Sequence, residues 1–137
     1  MARNLEAARI ACRKWRANNP DTAKAASRKG DKRWRANNPV KSLYRGLASS
    51  SRKRGHILLL SLDQLTELVA PMRCTMTDRP LIWGTGDWAP SIDRIDNSKG
   101  YELGNVRLVA WIINRARNDE TDEALLDMAR ALVAKHG

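Results

Sequence analysis

Between residues 91 and 115 the chain sets carboxylates, amides and cations close together: Ser91-Ile92-Asp93-Arg94-Ile95-Asp96-Asn97-Ser98-Lys99-Gly100-Tyr101, then Gly104-Asn105-Val106, then Asn114-Arg115. Such groups suit phosphate chemistry. Guanidinium and ammonium groups bind its oxygens, while carboxylates and amides can gather a cation or steer a proton. To bring them together the chain must fold back on itself. The pattern predicts a strand over Ser91–Asp96, a loop over Asn97–Asn105 containing Gly100 and Gly104, and a second strand over Val106–Val109. A helix from about Trp111 to Arg117 follows directly, so the expected unit is a long-looped β-hairpin and a helix.

Around this unit the chain reads as mostly helical. Trp15-Arg16-Ala17-Asn18-Asn19-Pro20 recurs letter for letter as Trp34-Arg35-Ala36-Asn37-Asn38-Pro39. Asn before Pro suits an N-cap followed by the first helical position, which predicts basic helices over roughly 3–17, 20–36 and 39–54. The first two have little to bury beyond Leu5, Ile10, Trp15, Trp34 and alanines. The third carries Leu43, Tyr44, Leu47 and Ala48 at helical spacing and can dock on a core. Ile57–Leu60 reads as a short buried strand or an extended segment. Ser61 through Gln64 fits a capping box, opening a short helix with Leu62, Leu65, Leu68 and Val69 that stops before Pro71. A last helix starts near Thr121, with Leu125, Met128, Ala129, Leu132 and Val133 as its expected buried face. The fold class is therefore α+β, with a basic helical arm over 1–41 and a folded domain over 42–137.

Charge divides the chain in the same way. Residues 1–56 hold sixteen Lys and Arg against three acids, whereas residues 57–137 hold nine against twelve. A net +13 in one part and −3 in the other is not the pattern of a uniformly solvated surface, and it points to a polyanionic partner. Charge alone does not separate DNA from RNA. Two cysteines, Cys12 and Cys74, are too few for a disulfide framework or a four-thiolate zinc site. With no apolar signal core at the basic N-terminus, a cytoplasmic location is expected.

The hairpin sequence resembles the HNH, or His-Me finger, nucleases, and especially the phage and bacterial subgroup with the SLDRID, GY, NV and NR pattern. The likeness runs over about residues 42–133 and includes Arg52-Lys53-Arg54-Gly55, Cys74-Thr75-Met76-Thr77 and Pro80-Leu81. It implies a ββα-metal core, a bacterial host cell and a phage or mobile-element setting. Position by position, Asp93 resembles the acidic metal ligand, Asn114 the ligand in the last H/N position, and Asn105 the middle Asn that ties the loop together. One carboxylate and one amide leave room for waters and a phosphate, which suits Mg²⁺ or Mn²⁺. Asn105 also has a plainer reading as a turn residue beside Gly104.

Two departures qualify the resemblance. Arg94 stands where the family places the histidine that deprotonates water, and arginine cannot serve as that base. It could instead clamp the scissile phosphate, leaving Asp96, Tyr101 or metal-bound hydroxide to activate water. Asp96 reads equally as a salt-bridge partner of Arg94, two positions away on the same strand face. The second departure concerns zinc: the CxxC places read Cys74 and Thr77, then Ala110 and Ile113. No structural zinc is expected, packing by Trp111, Ile112 and Ile113 taking its place, with Cys74 a buried thiol. His56 could reach the site as a base from outside the motif, although a lone His among Arg and Lys is usually a surface or DNA-contacting residue. His136, near the C-terminus, adds nothing.

The expected function is that of a DNA endonuclease hydrolysing phosphodiesters with one metal. The alternative is a DNA-binding protein that keeps the scaffold without cutting, and an RNA-binding protein is a third reading. Double-stranded DNA would be held by Arg13, Lys14, Arg16, Lys32, Arg33 and Arg35 in the arm and by Arg52, Lys53, Arg54, Lys99 and Arg115 nearer the hairpin. Trp15 and Trp34 could pack between helices or stack on bases.

Overall fold

Proline sets the rhythm of the first half of the chain. The computed structural model describes residues 2–137, with side chains from residue 4 onward. Its first three helices are α1 (Ala2–Asn18), α2 (Pro20–Asn37) and α3 (Pro39–Lys53). Pro20 and Pro39 each open a helix, where a missing N–H leaves no bond unmade. The Asn before each proline does not cap the helix that follows. Asn19 donates its side-chain amide to the Trp15 carbonyl at 2.9 Å, and Asn38 does the same to Trp34 at 3.0 Å. The repeated hexapeptide is thus a joint that closes one helix, because the amide satisfies a terminal carbonyl left without an intrahelical donor.

Two units result, Met1–Asn38 and Pro39–Gly137. The sequence boundary at 41/42 falls slightly later, since the helix opened by Pro39 already carries Val40, Leu43 and Tyr44 against the second unit's core. The first unit comprises α1 and α2. No residue of α2 is buried, and Leu5 and Trp15 on α1 are 62% and 48% exposed.

In the second unit, α3 contributes the buried Leu47. After Gly55, residues 57–60 are extended without forming a strand. Leu59 N–H reaches the Tyr101 carbonyl at 3.1 Å, Leu60 is buried, and Ile57 and Leu59 stay exposed. The segment leads into α4 (Leu62–Val69), whose capping box pairs Ser61 with Gln64 in both directions. Cys74 then begins a tight turn in which its N–H bonds Arg79 O (2.9 Å) while Thr75 N–H bonds Leu108 O (2.9 Å).

The hairpin consists of β1 (Pro90–Arg94) and β2 (Val106–Ala110), antiparallel, with Asp93 opposite Arg107 and Arg94 opposite Val106. Its first strand stops at Arg94, short of the expected Asp96. Ala110 runs into α5 (Trp111–Arg117), and Thr121 caps α6 (Asp122–His136) by accepting Ala124 N–H at 3.2 Å. Leu60, Leu65, Val69, Cys74, Ile92, Leu108 and Val109 form the centre of the core. Each fully buried Leu or Val there is worth roughly 1.5–3 kcal/mol.

Two expectations about packing fail. Trp111 is 45% exposed, so Ile112 and Ile113 alone pack from the start of α5. No residue of α6 is buried; Leu132 and Val133, expected inside, are 54% and 67% exposed because the helix runs out past the elements it starts from. Among the described residues, no helix is long and apolar enough to cross a membrane.

Candidate functional site

Side chains alternate along a strand, so Ser91 and Asp93 share one face of β1 and Arg94 takes the other. On the first face lies α5. Asn114 donates its amide to Ser91 Oγ at 2.7 Å and, more weakly, to the Ile92 carbonyl at 3.4 Å. Arg117 is one helical turn further on and so lies on the same side of α5. It donates to Asp93 Oδ1 (2.9 Å), the Arg94 carbonyl (2.9 Å) and the Ile95 carbonyl (2.6 Å). From across the hairpin, Arg107 donates Nε to Asp93 Oδ2 at 2.9 Å and both terminal nitrogens to Asp122, at 2.8 and 2.7 Å.

Two carboxylates and two guanidiniums therefore cancel in charge. The Asp93 side chain is 2% exposed and that of Arg117 4%, a burial that would be costly for either charge alone. Bidentate pairing with Asp122, together with Asp93, raises the already high pKa of Arg107 against the opposing effect of burial. Conversely, Arg107 holds the Asp122 carboxyl below its ordinary range. Arg117 Nε lies 2.9 Å from Asp122 Oδ1, close enough for an ion pair but not aligned as a hydrogen bond.

The other side of the hairpin end is organised by the loop. Asn105, 6% exposed, accepts Asp96 N–H at 2.9 Å and donates to the carbonyls of Asp96 (3.1 Å) and Gly100 (2.9 Å). All of its amide geometry is spent on the loop backbone. Arg94 is also buried. Its guanidinium donates to the carbonyls of Asn97 (3.1 Å) and Lys99 (2.9 Å) and stands 5.5 Å from the Tyr101 ring centre. Tyr101 in turn accepts on its hydroxyl from Arg54 at 3.0 Å. Gly100 is required here by space, since a Cβ would come within 3.3 Å of His56 Cβ and the Ile57 carbonyl. That close approach places His56 against the loop.

Asp96 is exposed and belongs to the turn rather than to the strand. Its Oδ1 accepts from Ser98 Oγ (2.6 Å) and Ser98 N–H (2.9 Å), and these bonds hold its pKa below the usual carboxylate value. The structure gives it Ser98 rather than Arg94 as its partner. A carboxylate stabilised in this way is a weaker base.

The donor set around Asp93 does not fit a divalent cation. Both of its oxygens accept from guanidiniums, and Asn114 turns its amide nitrogen to Ser91. Among the described residues, no three His, Cys, Asp or Glu side chains come together to hold a metal. Arg107, Arg117, Asp122 and Ser91 were absent from the sequence-based site. Arg117 could have been found by its three-residue spacing from Asn114, and Arg107 by pairing Arg94 with Val106. Asp122 carried no such signal.

Arg13, Lys14, Arg16, Lys32, Arg33 and Arg35 are all exposed on α1 and α2; Arg52, Lys53, Arg54, Lys99 and Arg115 are exposed on the second unit. Arg115 lies 4.0 Å from Asp87, with both side chains more than half exposed.

No protein-family model matches the chain, and no curated protein does. Among solved structures the chain is similar to the rare-cutting HNH restriction endonuclease PacI, for which a mechanism of DNA perturbation is described. Identity is 20%, the TM-score is 0.51, and the match covers 68% of this chain and 75% of that one. The fold is HNH-like. At this identity the likeness speaks for the fold of the α+β unit and leaves the chemistry to be argued from the residues.

Proposed function

We propose that the chain is a duplex-DNA-binding protein built on the HNH nuclease scaffold. The observation that carries this reading is the pairing of an HNH-like unit with helices whose Lys and Arg face solvent, in a chain of net charge +10. Exposed cations along a helix bind phosphates by releasing counterions, so affinity depends steeply on salt. If six to ten phosphates are engaged, binding should fall roughly 10³- to 10⁵-fold from 50 to 200 mM salt. A shallow salt slope, or a strong preference for structured RNA over duplex DNA, overturns the proposal.

Two finer readings part at Asp93. In the endonuclease reading, Asp93 and Asn114 become ligands of Mg²⁺ or Mn²⁺ in the presence of DNA, which supplies a Lewis acid and an activated water. That requires Arg107 and Arg117 to release the carboxylate. In the other reading they keep it, and the protein holds DNA without cutting. The filled donor set favours the second, as does Arg94, which has no capacity to act as a base and is engaged with loop carbonyls. Plasmid nicking with Mg²⁺ or Mn²⁺, with chelator and with Asp93→Ala tests the choice. No nicking under any condition, with DNA binding intact, supports the second reading. Nicking abolished by both chelator and mutation restores the first.

A further inference from the structure

Helix α6 leaves a large apolar surface uncovered. Leu126, Met128, Leu132 and Val133 are 46%, 45%, 54% and 67% exposed. With the partly buried Leu125 and with Ala129, they fall on one broad side of the helix, because positions three, four and seven apart share a face. Charge along α6 is segregated. The acids Asp122, Glu123 and Asp127 lie in its first half, whereas Arg130 and Lys135 lie in its second. A helix of this kind complements itself when two copies run antiparallel, since the acidic half of each then faces the basic half of the other.

We infer that a second copy of this chain packs antiparallel on α6, Leu125, Met128, Leu132 and Val133 forming the seam. Helical geometry puts Glu123 and Arg130 on the same flank of that seam. A two-fold axis across the helix near its middle brings Arg130 of each copy alongside the acids of the other. Such a contact is isologous: the same patch serves both copies. Fifteen residues span about 22 Å. A single pair of helices this short covers less than the roughly 800 Å² per partner of a standard stable interface. The dimer is therefore weak and concentration-dependent. On DNA it would set two copies in opposite orientations, as a site with two-fold symmetry demands. The pairing itself needs no DNA and stands apart from the proposal for function.

Sedimentation velocity and light scattering on the full chain, from low to high micromolar, test it, with circular dichroism confirming that each variant keeps its helices. Wild type should move from monomer to dimer, and Leu132→Asp should remain a monomer. Arg130→Glu, and separately Glu123→Arg with Asp127→Arg, should each weaken self-association by roughly tenfold. Mixing those two variants should restore a dimer of one copy of each. Charges that merely complement the helix dipole predict no such rescue. A monomer throughout the range overturns the inference, as does an oligomer indifferent to Leu132→Asp or a mixture that fails to recover.

Discussion

The two faces of β1 are held by different means. On the Asp93 face, the partners come from β2, α5 and the start of α6, up to 29 residues away along the chain, and they are charged. On the loop side, Asn105 and Arg94 bond backbone groups that lie three to nine residues away. The first arrangement fastens elements to one another; the second shapes a single loop. Damage to the first should therefore spread through the second unit, while damage to the second should stay local.

Asp93→Ala gives the largest expected effect. Removing one partner leaves two buried guanidiniums uncompensated, which typically costs about 3–5 kcal/mol. Urea unfolding of the full chain measures it. Asn105→Ala should cost less, about 1–3 kcal/mol for the loop groups left unpaired. Its mark would be faster amide hydrogen exchange over residues 95–101, with the strands of the hairpin still protected. Equal costs from the two substitutions, or loss of protection throughout the unit in Asn105→Ala, would erase the distinction between the faces.

Acid gives a smaller effect and sharpens the comparison within the charged face. Arg107 depresses the Asp122 carboxyl in the folded state. Its contribution is thus fully present above the unfolded value, about pH 4, and is lost as pH falls through the folded one. The wild type should lose stability below about pH 4 more steeply than Asp122→Asn. The side chain is about a third exposed, so solvent screening keeps the difference modest. Parallel pH profiles for the two proteins would mean that Asp122 is a bystander.

What the sequence disclosed follows the same division. The hairpin, the capping box at Ser61, the helix beginning at Trp111 and the tie of Asn105 to its loop rest on neighbours a few residues apart, so motif and spacing reach them. Asp93 looks like a ligand by position, but its partners lie far along the chain and become visible only when the strand register places Arg107 opposite it. The α6 face was misread for a related reason: periodicity reports that a helix has an apolar side without saying what covers it. Asn19 and Asn38 show the limit at short range, since Asn before Pro fits the cap of either adjoining helix, and the amide turned to the preceding one.

The smallest expected effect is the most telling. If guanidiniums do the work at Asp93 that a cation does in a metal-bound site, excess chelator should leave the melting temperature unchanged, and added Mg²⁺ or Mn²⁺ should not raise it. A cation that binds only the folded chain must stabilise it, by about 2.7 kcal/mol at a hundredfold excess over its dissociation constant. Scanning calorimetry resolves a change of that size easily. A rise in melting temperature with Mn²⁺ that vanishes in Asn114→Ala would show that the ion pairs open, and would return Asp93 to the role of a ligand. A flat response, together with a steep loss in Asp93→Ala, would instead fix Asp93 as the acceptor that holds β2, α5 and α6 in place.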